Sequence, residues 1–320
     1  MQGCARRLGL LMAACVLAGS PAVAAPLNVV ASFSILGDMV SRIGGDHISL
    51  TTIVGPNGDA HSFEPRPSDA KALANAQMLV VNGLNFEVWL PRLVKASGFS
   101  GVTVVASDGI VPRLLTDEEM AEFTGHDHAD KTGSDAAGRH NAIDPHAWQS
   151  LSNGMIYAKN IASALMKADP KNAKDYRSRA EIYISEMKKM DEEVRQALAT
   201  IPADSRNVVT SHDSFGYFGR DYGVHFIPAL GISNDAEPSA QEMARLVKLV
   251  KQSHSKVVFL ENVTSPKLVE QIARETGAKV GGTLYSDALA APDRPAGTYL
   301  GMFSWNAGRL IYALKPGVAK

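Results

Sequence analysis

Apolar, β-branched runs alternate with helical patterns along most of this chain. "LNVVASF" is followed by "ILGDMVSRIGG", then by "ISLTTIVG", "LVVNG" and "VTVVAS", with helical stretches around "SDAKALANA" and "EVWLPRLVKAS". The pattern resumes towards the C-terminus, where "NVVTSH", "HFIPALG", "KVVFLEN" and "KVGGTLY" each precede a helical segment. Alternation of this kind predicts βα units and mostly parallel sheets. Strands that are apolar throughout suit sheets covered on both faces. Two helix starts are marked: Ser239 with Glu242 makes a capping box, and Ser265 before Pro266 offers a cap followed by proline at the first helical position.

Between the two sets lies a stretch without Gly or Pro, Lys171 to Ile201, bracketed by Pro170 and Pro202. Its apolar residues Tyr176, Ala180, Tyr183, Met187, Met190, Val194, Leu198 and Ile201 recur every three or four positions, the spacing of one helix face. Such a helix runs roughly 45 Å at 1.5 Å per residue. The expected architecture is therefore α/β, with two lobes, each a mostly parallel sheet flanked by helices, joined by one long rigid backbone helix. The lobes fall at residues 25–170 and 202–320, with the linking helix at 171–201. A long surface helix within a single domain is the alternative. Thr124 to Ala142, "TGHDHADKTGSDAAGRHNA", has almost no large apolar residues and reads as a mobile loop.

The first 24 residues belong to neither set. Arg6 and Arg7 precede the apolar run Leu8 to Ala18, and Ala22-Val23-Ala24 is a small-residue cleavage box, the order of a secretory signal peptide. The run is shorter than the ~20 residues that span a bilayer, and no later segment is longer and as apolar, so the mature chain is expected to be soluble. Both cysteines, Cys4 and Cys15, lie inside the signal, which leaves the exported chain without thiols or disulfides. "LMAAC" loosely resembles a lipoprotein attachment site at Cys15, but "AVA" is the better cut and favours free export to the periplasm. At 320 residues, 45% apolar, the chain has enough material for two domains. Its formal charge of −1 argues against a nucleic-acid partner, which calls for a basic patch.

Candidate chemistry sits in the histidines. His61 follows the strand "LTTIVG", His212 ends "NVVTSH", Asp287 follows "KVGGTLY", and His146 lies in the turn "IDPHAWQS". His61, His212 and Asp287 stand just past the carboxyl ends of strands, where open α/β sheets bind their ligands. Facing lobes would bring all four together as a nitrogen/oxygen site suited to Zn²⁺. Single histidines at strand ends are also commonly hydrogen-bonded structural groups, and the spacing alone does not decide.

"GDAHSFEPRPSD", "DPHAWQS", "SHDSFGYF", "NDAEPSAQE" and "LYSDAL" resemble, in this order, the signatures of the metal-binding proteins of zinc and manganese ABC transporters. The resemblance runs from about Leu27 to the C-terminus. It implies the two-lobed fold with its backbone helix and a non-enzymatic role as the substrate-binding component of an uptake transporter. It also implies a metal site of His61, His146, His212 and Asp287 and delivery of the ion to an inner-membrane permease. A monomer is expected, with a periplasmic metallochaperone as a possible donor. His212 resembles the zinc members, since manganese members tend to carry Glu there. Imidazole suits zinc and a more oxygen-rich shell suits Mn²⁺, so Zn²⁺ is the expected cargo and Mn²⁺ the alternative. His126, His128 and His140 form a short version of the family's His-rich loop, read either as an auxiliary metal-capture site or as solvated residues.

A secreted zinc hydrolase is the reading from another class. It lacks a His-Glu-x-x-His motif, and four protein ligands would close the position that catalytic zinc keeps open for water; Asp59 or Glu64 would have to act as base. A metal-binding adhesin is a third. Glu64 and Glu237 are read either as groups orienting ligand imidazoles or as turn residues, Trp148 and Phe63 as packing beside the ligands, and Trp89 and Trp305 as core. His47, His225 and His254 are expected to face solvent.

Overall fold

A computed structural model describes residues 25–115, 143–231, 239–253 and 255–315. The first half is built from β1 (Leu27–Phe33), α1 (Ser34–Gly44), β2 (Ile48–Val54), α2 (Pro67–Ala74), β3 (Met78–Val81), α3 (Leu90–Ser97) and β4 (Val102–Val105). Next come α4 (Leu151–Ala168) and the long α5 (Ala173–Ala199). The second half comprises β5 (Asn207–Thr210), α6 (Gly216–Tyr222), β6 (His225–Pro228), α7 (Ala240–Gln252), β7 (Val257–Glu261), α8 (Pro266–Thr276), β8 (Lys279–Leu284) and α9 (Tyr299–Leu314).

The two sheets repeat one topology, with strand orders β2-β1-β3-β4 and β6-β5-β7-β8 and every pairing parallel. The α/β class with two parallel sheets and a long helix is thus as the pattern predicted. In both sheets the order reverses beside the first strand, so the crevice at the carboxyl ends of β1 and β5 is where a ligand fits.

The alternation of side chains along a strand sorts the second sheet between two cores. Val208, Val257 and Phe259 face a large core shared with β1, β3, α4, α5 and α9. Their neighbours Val209 and Val258 face a smaller one closed by α7 and α8, with Val247, Val250, Val269 and Ile272. The large core is continuous across both halves.

The long helix starts two residues later and ends two earlier than its periodicity suggested. Pro170–Asn172 form a separate 3-10 turn, in which the Asn172 N–H donates to the Asp169 carbonyl at 3.2 Å. Tyr176, Ala180, Tyr183, Met187, Val194 and Leu198 form its buried stripe; Met190 is half-buried. Its exposed face grips the first half through Arg179, which donates to the Gly44 carbonyl at 2.8 Å and to Asp46 at 2.7 Å. Ser265 occupies the cap position of α8 with Pro266 next, yet its side chain makes no capping hydrogen bond. Residues 1–24, the loop histidines, Glu237, His254 and the side chain of Glu242 lie outside the described residues.

Candidate metal centre

His61 sits in the turn that leaves β2. Asp59 shapes that turn: its carboxylate accepts from the His61 backbone N–H at 2.8 Å and from the Ser62 hydroxyl at 2.9 Å. The Trp89 indole donates to the Ala60 carbonyl at 2.8 Å, and the Phe86 ring meets the imidazole edge-on with centroids 4.8 Å apart. This side chain is 9% exposed; those of His146, His212 and Asp287 are fully buried.

His146 is held by the residue two before it. Asp144 accepts from the His146 backbone N–H at 2.9 Å and lies 2.8 Å from Nδ1, while its other oxygen takes a hydrogen bond from Arg113 at 3.1 Å. An imidazole whose Nδ1–H is engaged by a carboxylate presents the lone pair of Nε2 inward. His212 has a similar support at the end of β7. Glu261 accepts from the backbone N–H groups of Ser211 and His212, at 2.7 and 3.1 Å. Its second oxygen lies 2.7 Å from His212 Nδ1, a close charge contact whose angle does not make an aligned hydrogen bond.

Asp287 completes the cluster from the segment after β8. The carbonyl of Ser286, next to it, accepts from the Trp148 indole and the Gln149 amide, both at 2.8 Å. These bonds weld the Asp287 segment to the turn that carries His146.

The four side chains converge. Their nearest nitrogen and oxygen atoms all lie within 4.8 Å of one another. His61 and His146 Nε2 are 3.2 Å apart. Asp287 reaches His212 Nε2 at 3.0 Å, His146 Nε2 at 3.5 Å and His61 Nε2 at 3.7 Å. Ligands on a tetrahedron with bonds of about 2.05 Å stand roughly 3.3 Å apart, so these separations match a small divalent ion at the centre. No donor is well aligned on either buried Asp287 oxygen, so the charge there is met by the surrounding imidazoles, His212 nearest at 3.0 Å, or by a cation seated among them.

Electrostatics divides the imidazoles. Burial lowers His61 to about 4, against the pull of Asp287, so it is neutral at physiological pH. Burial opposes the charged form of His212 too, but Glu261 and Asp287 outweigh it and raise His212 well above its ordinary value. Asp287 stays ionised despite burial, because the histidines, His212 foremost, lower it.

Trp148 packs against His146 as expected, with centroids 5.3 Å apart, and Trp89 is buried. Other expectations need correction. Phe63 packs on Trp89 and not on a ligand, and Glu64 is exposed, so neither supports the site. Trp305 is only half-buried, its indole donating to the Thr283 carbonyl. His225 is exposed, but His47 is not a free surface group: its Nε2 lies 2.8 Å from the Asp175 carboxylate on α5. The carboxylates that stand behind candidate ligand imidazoles, Asp144 and Glu261, were missed. The signal for Glu261 was an acidic residue closing the apolar run "VVFLE"; for Asp144 it was an acid two residues before a candidate ligand.

Fold and site together define a two-lobed binding protein built round one buried cluster of three imidazoles and a carboxylate. Residues 29–313 match the family described as "Zinc-uptake complex component A periplasmic". The chain is 31% identical over 294 residues to the manganese ABC transporter substrate-binding lipoprotein PsaA of Streptococcus pneumoniae, covering 90% of this chain and 89% of that one. It is 30% identical over 309 residues to the iron ABC transporter substrate-binding lipoprotein MtsA of Streptococcus pyogenes, covering 95% and 94%. Among solved structures it resembles the periplasmic zinc binding protein TroA of Treponema pallidum, with a TM-score of 0.77 and 27% identity over 90% of this chain and 99% of that one. The chain belongs to this family of metal-binding, substrate-binding proteins of ABC transporters. They are transport components, and the hydrolase reading falls with that. The candidate bases agree: Asp59 is spent on its own turn and Glu64 points to solvent.

Proposed function

We propose that this protein captures Zn²⁺ outside the cytoplasmic membrane and hands it to an inner-membrane ABC permease, with His61, His146, His212 and Asp287 as the four ligands. The observation that carries the reading is Asp287: a fully buried carboxylate with no well-aligned donor on either oxygen, faced by three imidazoles whose Nε2 atoms stand 3.0 to 3.7 Å away. Three neutral nitrogens and one anionic oxygen suit zinc better than a harder ion. The Asp144 and Glu261 carboxylates behind the imidazoles strengthen them as donors.

Mn²⁺ is the second reading, favoured by the manganese protein among the relatives. Because Zn²⁺ outranks Mn²⁺ on nearly any nitrogen/oxygen site, affinity in a test tube does not choose between them. The deciding experiment is metal content by mass spectrometry of protein recovered from the periplasm without added metal, for the natural chain and His212→Ala. One equivalent of zinc, lost in the variant, is expected. Manganese in the natural chain would overturn the cargo, and no metal in either would overturn the site.

The rest of the proposal concerns the chain around the site. Residues 1–24 act as a cleaved export signal, the mature protein works as a periplasmic monomer, and His126, His128 and His140 catch the ion on its way in. Lobes at 25–170 and 202–320 flank the linking helix. A periplasmic metallochaperone is a candidate donor.

A further inference from the structure

The turn between β2 and α2 is tied to the opposite half of the molecule by one asparagine. Asn57 has a left-handed backbone, φ 55°, which Asn adopts more readily than most residues. Its backbone N–H donates to the Leu289 carbonyl at 2.9 Å. Its side-chain oxygen accepts from the Asn262 amide at 3.1 Å. The same amide donates to the Ala288 carbonyl at 3.2 Å, and a carbonyl there accepts only a donor, which fixes which way the Asn262 amide points.

Each of these residues stands next to the metal cluster along the chain. Asn57 is four residues before His61. Asn262 follows Glu261, which supports His212, and Ala288 and Leu289 follow Asp287. The rings of His146 and His212 are backed by Asp144 and Glu261, and both side chains, like that of Asp287, are fully buried. His61 is the partly exposed one, and no hydrogen bond reaches its Nδ1 among the described residues. It is therefore the candidate ligand whose ring is held least.

We infer that the Asn57–Asn262 hydrogen bond is a latch that sets the rate of metal release by holding the His61 turn against the second half. Asn57 and Asn262 are positioning residues that touch no ligand atom. The inference rests on the ligand set proposed above. Its bond lies at the exposed rim, where one hydrogen bond is a modest barrier that a docking permease can open.

The test is release of Zn²⁺ into excess chelator, followed by stopped flow, on the mature full-length protein. Asn57→Gly removes the side-chain acceptor while keeping a left-handed backbone accessible, and the bond to Leu289 remains. Asn57→Asp keeps both the acceptor and the backbone preference. Asn57→Gly and Asn262→Ala are each expected to release Zn²⁺ roughly two- to tenfold faster, the range one hydrogen bond supplies. The double variant should be no faster than Asn262→Ala, Asn57→Asp no faster than the natural chain, and the metal-free melting temperature lower by no more than a few degrees. Release from Asn57→Gly at the natural rate, or from Asn57→Asp as fast as from Asn57→Gly, overturns the latch while the metal site stands. Failure of the natural chain to hold Zn²⁺ overturns the ligand set, and the latch with it.

Discussion

At the scale of single residues, the site separates two kinds of histidine. His61 sheds its proton because burial disfavours charge, and His212 keeps one because Glu261 and Asp287 flank it. A protonated imidazole cannot ligate, so on the proposed ligand set an entering ion must displace a proton from His212 and none from His61. Affinity should accordingly weaken as pH falls from neutral, with His212 competing first and His61 joining only near pH 4. Calorimetry in buffers of different ionisation enthalpy reads the released protons directly. The expected count falls by one in His212→Ala and is unchanged in His61→Ala. Removing the charge with Asp287→Asn leaves three imidazoles around a dication, and affinity should drop by at least a hundredfold in a chelator competition. Retention of full affinity would mean that Asp287 is not a ligand.

At the scale of elements, α5 braces the molecule and stays away from the chemistry. Its buried stripe packs on α4 and α1, and Met187 in that stripe has no exposure. Met187→Ala should cost about 2–5 kcal/mol through lost burial and the cavity left behind, lowering the urea midpoint. Metal stoichiometry should remain one per chain, since no residue of the helix reaches the cluster. The turn carrying His146 is the opposite case, a short element joined to both halves. The Asn82 side chain donates to the Pro145 carbonyl at 2.9 Å from the first half, and Trp148 bonds the Ser286 carbonyl in the second. Trp148 also packs on Phe33 and Phe86 at centroid distances of 5.0 and 4.7 Å. The ligand on this turn is fixed from both sides.

At the scale of the whole molecule, the continuous core limits how far the halves can part. Wide opening would expose residues such as Trp148, Tyr157, Phe259 and Tyr299, all without solvent exposure here. Burial of each side chain of this size contributes roughly 2–3 kcal/mol. Small-angle scattering should show almost the same radius of gyration with and without Zn²⁺; a large change would contradict this rigidity. Metal should nevertheless act on global stability. An ion at a hundred times its dissociation constant adds about 2.7 kcal/mol to the folded state. The melting temperature should therefore rise with Zn²⁺ and fall back when a chelator removes it.

Much of this was legible without coordinates, for definite reasons. Continuous apolar, β-branched runs and period-3.6 patterning report which residues must leave water, so the parallel strands and the long helix could be read from the sequence alone. His61, His212 and Asp287 stood out because each lies past the carboxyl end of an apolar strand, where open α/β sheets bind ligands. Sequence reading had less hold on partners that depend on distance in space. Asp144 and Glu261 became supports, Glu64 did not, and His47 acquired a carboxylate, because strand order and turn geometry decide which acid meets which imidazole. The 3-10 turn at Pro170–Asn172 and the uncapped Ser265 are local geometries that a motif alone does not decide. Burial periodicity and side-chain chemistry, written residue by residue, were enough for the repeated βα halves, the brace between them and the candidate ligands. Only the folded chain brought three Nε2 atoms from distant segments to within 3.0 to 3.7 Å of one buried carboxylate. It alone decided, too, that Asn57 meets Asn262, because contacts between distant segments follow from how the two sheets pack against a shared core.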